Sequence, residues 1–263
     1  GSESFLVVFR HSLIEQTADP LSGKNVPLRF YDLTGRYSLR KEVASCNFTA
    51  MRTFDRGRIN PDRNTVLRWT NNTVGGRCLF FGEQLNHAID ANIGYTGFHN
   101  SAGTSESPER TSSVQKGYFS VRQEQDIWKV TLDFGGKWVF SNYAYSLGEK
   151  FTSLESTQAT LMRLQGYAAY DWDIGDRLTI SPSIGTQYHT ETSAPTYEPR
   201  LQVAFRPDGT SQQEISLAVG KYNQTIEGIT DERDAGSVFT VWTPSAHSSG
   251  VPEAWHGILG YQQ

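Results

Sequence analysis

The chain has little cysteine, no long apolar run and no surplus of either charge, and each shortage removes a class of protein. Cys46 and Cys78 are the only cysteines, so neither a disulfide scaffold nor a four-thiolate metal centre is available. The pair reads either as one bridge or as two free thiols, each in an apolar row where a small hydrophobe would serve as well. No stretch approaches the ~18 consecutive apolar residues of a membrane-spanning helix, which excludes such a helix but not a transmembrane barrel, whose strands alternate. With 24 Lys+Arg against 28 Asp+Glu the charge is too balanced to expect a nucleic-acid partner.

Catalytic and metal signatures are equally sparse. His11, His87, His99, His189, His247 and His256 are scattered, with no HExxH and no pair at ligand spacing. Glu83 and His87 are four apart, a spacing that shares a face on a helix, whereas this segment reads as a strand. No GxSxG elbow or GxGxxG turn is present. Asp171, Asp173, Asp176, Asp231, Glu232 and Asp234 supply enough carboxylates for a glycosidase. Asp173 and Asp176 nevertheless read as turn formers, and Asp231 to Asp234 as a solvated loop. The expectation is a protein that is not an enzyme and needs no cofactor and no metal.

What the sequence does contain is a period of two. From Ile127 to Phe140, Trp128, Val130, Leu132, Phe134, Gly136, Trp138 and Phe140 fall on one face, and Lys129, Thr131, Asp133, Gly135 and Lys137 on the other. Soluble strands usually run to about 5 or 6 residues, whereas a tilted lipid-spanning strand needs roughly 9 to 11 with aromatics near its ends. Thr160 to Ile174, Leu178 to Tyr188 and Leu85 to Tyr95 repeat the pattern, with His87 the one departure in the apolar row of the last. Shorter strands are expected at Phe5 to Arg10, Phe30 to Leu39, Val43 to Arg52, Val66 to Thr70, Arg77 to Phe81, Val114 to Gln123, Leu201 to Arg206, Glu214 to Tyr222, Ser237 to Trp242 and His256 to Gln262. Connections alternate between tight turns (Gln125-Asp126, Asp173 to Asp176) and long loops (Thr53 to Thr65, Asn100 to Ser112, Ser141 to Thr157, His189 to Pro199). The fold expected is all-β, an antiparallel up-and-down transmembrane β-barrel or barrel fragment of about 10 to 14 strands.

The whole of 1–263 is read as one β-barrel domain, with 1–29 holding a tag remnant at Gly1-Ser2 and an edge strand or loop. A 37% apolar fraction with 24 glycines suits a wall whose inside is wet. Arg36, Arg52, Asp90, Lys129, Asp133, Lys137, Arg163 and Asp171 are the candidate ligand or lumen residues. Trp128, Trp138, Phe140, Tyr170 and Trp172 are the candidate membrane belts. The partners expected are lipid or detergent, an unidentified small molecule or glycan, and other chains at open strand edges.

These strands, with the phrases PERTSSVQKGYFSV (Pro108 to Val121), TIEGITDERDAGSVFTVW (Thr225 to Trp242) and PEAWHGILGYQQ (Pro252 to Gln263), resemble the barrel domain of bacterial TonB-dependent outer-membrane receptors. The resemblance covers roughly Phe30 to Gln263 and reads as an internal portion without the plug. It implies a non-enzymatic role in uptake of a siderophore, glycan or similar nutrient across the outer membrane of a Gram-negative bacterium. The alternative is a soluble all-β carbohydrate-binding or glycoside hydrolase domain, with Trp69, Trp128, Trp138, Trp172 and Trp242 as stacking platforms. Aromatic belts a hydrocarbon thickness apart favour the first reading, and tryptophans converging in one groove the second.

Overall fold

The computed structural model describes residues 1–14, 28–58, 65–82, 87–103, 108–127, 130–146, 157–190, 195–209, 213–224, 226–229, 241–244 and 251–263. Its strands are β1 (Ser2–His11), β2 (Leu28–Arg40), β3 (Ala44–Gly57), β4 (Val66–Phe81), β5 (His87–Gly103), β6 (Pro108–Ile127), β7 (Val130–Ser146), β8 (Thr157–Ile174), β9 (Leu178–His189), β10 (Thr196–Phe205), β11 (Glu214–Asn223), β12 (Ile226–Ile229), β13 (Val241–Pro244) and β14 (Glu253–Gln262). Twelve of them form one antiparallel sheet in sequence order, β1 to β11 followed by β14, while β12 and β13 pair as a separate small hairpin. Among the described residues β1 and β14 remain the two edges.

The strands are longer than the sequence suggests. Val66 to Thr70 and Arg77 to Phe81 are one strand, because Asn71 to Gly76 pairs residue for residue with both neighbours despite its weak β propensity. Gln125 and Asp126 form no turn: they pair with Leu132 and Thr131, and the chain reverses only beyond the Ile127–Val130 pair. The loop expected at Asn100 to Ser112 is largely strand, since β5 runs to Gly103 and β6 starts at Pro108, and that expected at Thr53 to Thr65 begins as strand, since β3 runs to Gly57. Polar residues at these ends read as loop, yet pairing with long neighbouring strands satisfies their backbone and holds them as strand. The strand expected from Ser237 is seen only as β13, its first residues lying outside the described set.

One row of directly opposed residues crosses the sheet: Phe5, Tyr37, Phe48, Gly76, Ile93, Phe119, Trp138, Leu164 and Tyr188. It lies three positions from the short-turn end of β2 (Tyr37 to Arg40) and ten from that of β9 (Leu178 to Tyr188). The strands therefore slip by about one residue each. A ~3.3 Å rise against a ~4.8 Å strand spacing converts this to a tilt of about 35°, within the range of barrel walls. The row also defines an apolar face open to the surroundings, with Ile93 62% and Trp138 51% exposed. No second layer of protein covers it among the described residues: Phe134, beside Asp133, is exposed.

Cys46 and Cys78 are directly opposed on that apolar face and are disulfide-bonded. Glycines make room on the wall. Gly135 has the Tyr167 ring folded over it, and a Cβ there would fall 2.6 Å from the Val121 carbonyl and 2.9 Å from Tyr167 Cε1. Gly175, at φ 63°, turns β8 into β9 in the left-handed region. We predict that Gly135→Ala destabilises the fold by roughly 1–3 kcal/mol through overpacking against backbone. Gly166→Ala, whose Cβ would meet only ordinary contacts, stays near neutral in the same urea unfolding measurement.

Candidate ligand-facing wall

The residues between the apolar positions form the other face, and it is a chain of charge pairs. Arg77 on β4 donates to Asp90 on β5 through both Nε and Nη2 (3.0 and 2.7 Å), and Asn92 also donates to Asp90 at 3.0 Å. On β6, Arg122 reaches Asp133 of β7 at 2.9 Å and Glu124 at 3.1 Å, and the Tyr167 hydroxyl of β8 donates to Asp133 at 2.9 Å. A second chain runs over β9 to β14. Buried Glu198 accepts from Gln187, from Arg200 at 2.6 Å and from the Asn223 backbone at 3.0 Å. The Arg200 guanidinium lies 4.6 Å above the Tyr222 ring, which meets His256 edge-on at 5.0 Å. Tyr167 and Glu198 are both opposed to Gly185, so only a glycine separates the two chains.

A recess of about 350 Å³ opens where they meet, lined among others by Thr131, Asp133, Asp171, Ser183, Arg200 and His256. Its size suits a small ligand, and its lining offers carboxylates, a guanidinium, hydroxyls and an imidazole without a buried apolar floor. Nearer the long-loop end the same face changes character. There β13 lies against β6, β7 and β8, and Ser112, Val139, Ser141, Tyr143 and Leu161 are all buried. Trp138, Phe140 and Met162, on the opposite face of β7 and β8, stay exposed, so the hairpin sits over the polar face. Just below it Lys116, Lys137 and Arg163 occupy three adjacent strands within electrostatic reach of one another, and Lys137 Nζ lies 4.8 Å from the Tyr118 ring centroid. Among the described residues neither Lys116 nor Lys137 forms an ion pair with a carboxylate.

Of the expected lumen residues, Arg36, Asp90, Asp133, Lys137, Arg163 and Asp171 share the polar face, and Asp133 and Asp171 meet in the recess. Arg52 does not join them. It is opposed to Leu33 and Asn72 and stands two residues from Phe54 and four from Phe48 on the apolar face, because its position in β3 has the wrong parity. Lys129 and Trp128 lie outside the described residues. Trp138, Phe140, Tyr170 and Trp172 are all exposed on the apolar face. Missed by sequence reading were Glu198 and Arg200: Pro199 between them reads as loop, whereas it sits inside β10 opposite Ile184. Among the described residues no group of His, Cys, Asp or Glu is arranged to hold a metal ion.

Solved structures of outer-membrane receptors contain a similar all-β fold. A variant of the ferric enterobactin receptor of Pseudomonas aeruginosa superposes with TM-score 0.66 at 11% identity over 86% of this chain and 40% of its own. The siderophore receptor PirA of the same organism gives 0.65 at 9% identity over 89% and 43%. The outer membrane transporter YddB of Escherichia coli gives 0.60 at 8% over 76% and 32%. The chain thus spans about two fifths of the length of the first two proteins, and at such identities the likeness is one of fold. No family model and no curated protein sequence matches the chain.

The wall's charge pairs are expected to couple measurably. In a double-mutant cycle on Arg77→Ala and Asp90→Ala, followed by urea unfolding, the coupling should reach about 1 kcal/mol, since the pair is two-pronged but partly solvated. A coupling of zero would reduce the ladder to a surface coincidence.

Proposed function

We propose that the chain is wall material of a TonB-dependent type uptake receptor in the outer membrane of a Gram-negative bacterium, with its apolar face against lipid and its polar face lining an aqueous passage. The polar face contacts a small-molecule nutrient such as a siderophore or glycan in transit, with Asp90, Asp133, Lys137, Arg163 and Asp171 among the residues facing it. No bond is made or broken in this role. The observation that carries the reading is the exposed apolar face of a sheet slipped by about one residue per strand.

The aromatics support it. Trp172 is opposed to Val130, and Phe140 lies ten residues further along β7. At a ~3.3 Å rise and about 35° tilt, the two are roughly 27 Å apart along the membrane normal, close to the ~25 Å apolar band of outer-membrane barrels. Tyr170 and Trp138 stand one row inside each. The carbohydrate-binding alternative needs tryptophans converging on one groove, and Trp138 and Trp172 instead sit at opposite heights of an open face.

Two measurements test the proposal. The purified chain should require detergent and show heat-modifiable gel mobility; a monodisperse, detergent-free monomer would end the membrane reading. In vesicles, Ile93→Arg on the apolar face should cost about 2–4 kcal/mol, while Ala169→Arg, opposite Asp133 on the polar face, should cost less than about 1 kcal/mol. Equal costs would mean that the two faces see the same solvent.

A further inference from the structure

The apolar face is not apolar to its upper end. Arg29 on β2, Arg56 on β3 and Arg68 on β4 are directly opposed in neighbouring strands, at the long-loop end and on the face that carries Tyr37 and Phe48. Arg29 and Arg56 are exposed and Arg68 half-buried. Cations set directly opposite one another across strands repel. Five arginines elsewhere on the wall are neutralised by a carboxylate: Arg10 with Asp32, Arg77 with Asp90, Arg122 with Asp133, Arg200 with Glu198, Arg206 with Glu214. Among the described residues no carboxylate pairs with any of these three, and the nearby acids Asp32 and Asp55 occupy the opposite face of their strands.

The next row inward is aromatic. Tyr31 and Phe54 are opposed to each other and stacked at 5.2 Å with an interplanar angle of 17°. Arg52 follows one row further in, its long side chain able to reach back past Phe54. Arg56 lies twelve residues from Ala44, the short-turn end of β3, and with about 35° tilt this puts it roughly 32 Å above that end, beyond a ~25 Å apolar band. The order read outward is therefore hydrocarbon-facing residues, an aromatic girdle, then a row of guanidiniums at the depth of lipid headgroups. Guanidinium matches phosphate with two parallel hydrogen bonds, and three side by side match a phosphorylated headgroup or two adjacent ones.

We propose that Arg29, Arg56 and Arg68, with Arg52 beneath them, form a binding site for the phosphate of anionic lipid headgroups in the leaflet on the long-loop side. The site rests on the membrane reading above but is separate from the passage: it faces away from the ligand-bearing wall. It holds the receptor wall to its lipid annulus by charge, and its affinity falls with ionic strength.

The test is native mass spectrometry of the full chain, folded in neutral detergent and titrated with phosphatidylglycerol, with phosphatidylcholine, and with inorganic phosphate. The wild-type chain should retain phosphatidylglycerol over phosphatidylcholine, by about fivefold for each arginine engaged. The variant R29Q/R56Q/R68Q should lose that preference, whereas R36Q/K116Q/K137Q, which removes the same charge from the opposite face, should keep it. Retention of inorganic phosphate alone, with no lipid preference, overturns the lipid assignment, as does a preference that survives in the first variant. Heat-modifiable mobility recorded on the same samples separates the outcomes: a folded barrel without lipid preference overturns this inference only, and absence of the folded form overturns the membrane reading with it.

Discussion

Everything in this wall depends on strand register. Because side chains alternate, a slip of one residue at any pairing would carry the arginines and aspartates of that strand into the apolar face and its phenylalanines into the polar one. The register also fixes the slip of about one residue from strand to strand, and hence the tilt, the height of the aromatic rows and the alignment of charge pairs. The Arg122–Asp133 contact, the Tyr31–Phe54 stack and the Cys46–Cys78 bond are three consequences of the same pairing, one on the polar face and two on the apolar.

The polar face is organised by height. Toward the short-turn end, charges are balanced strand against strand, so the wall bears buried Asp90 with Arg77 and Asn92 as its partners. Toward the long-loop end, where β13 lies against β6, β7 and β8, Val139, Tyr143 and Leu161 are buried. Lys116 and Lys137 lie at the boundary, where among the described residues neither forms an ion pair with a carboxylate.

How much of this was legible depended on whether side chains or backbone decided the outcome. Ile127 to Phe140 could be read because bulky residues mark every second position, and the apolar row from Val130 to Phe140 is placed as the alternation implies. Asn71 to Gly76 could not, because Asn, Thr and Gly give no alternation, and what makes it a strand is the pair of long neighbours that satisfy its backbone. Arg52 was misplaced for a related reason: an arginine in a strand suggests the wet face, and only counting parity from Phe48 shows that it is on the other side. The recess was half legible, Asp133 and Asp171 being visible in alternating strands and Arg200 hidden behind Pro199.

The edges set the remaining physical condition. β1 is unlike every strand it could be compared with, since Phe5, Leu6, Val7, Val8 and Phe9 are apolar on both faces and all exposed, and its outer backbone groups face no partner among the described residues. β14 presents Trp255, Ile258, Leu259 and Tyr261 in the same way. Hydrocarbon does not tolerate unpaired backbone, so a wall in lipid requires both edges to be met by a strand. β1 runs toward the long-loop end and β14 away from it, so each edge has the sense that an antiparallel partner for the other needs. Such a partner must also bring apolar residues to both faces beside β1, because Leu6 and Val8 stand opposite Arg36 and Thr34 on the polar side, where the rest of the wall is wet. The apolar run at β1 therefore makes any pairing across that edge one of packing on both faces instead of the charge ladder that serves elsewhere.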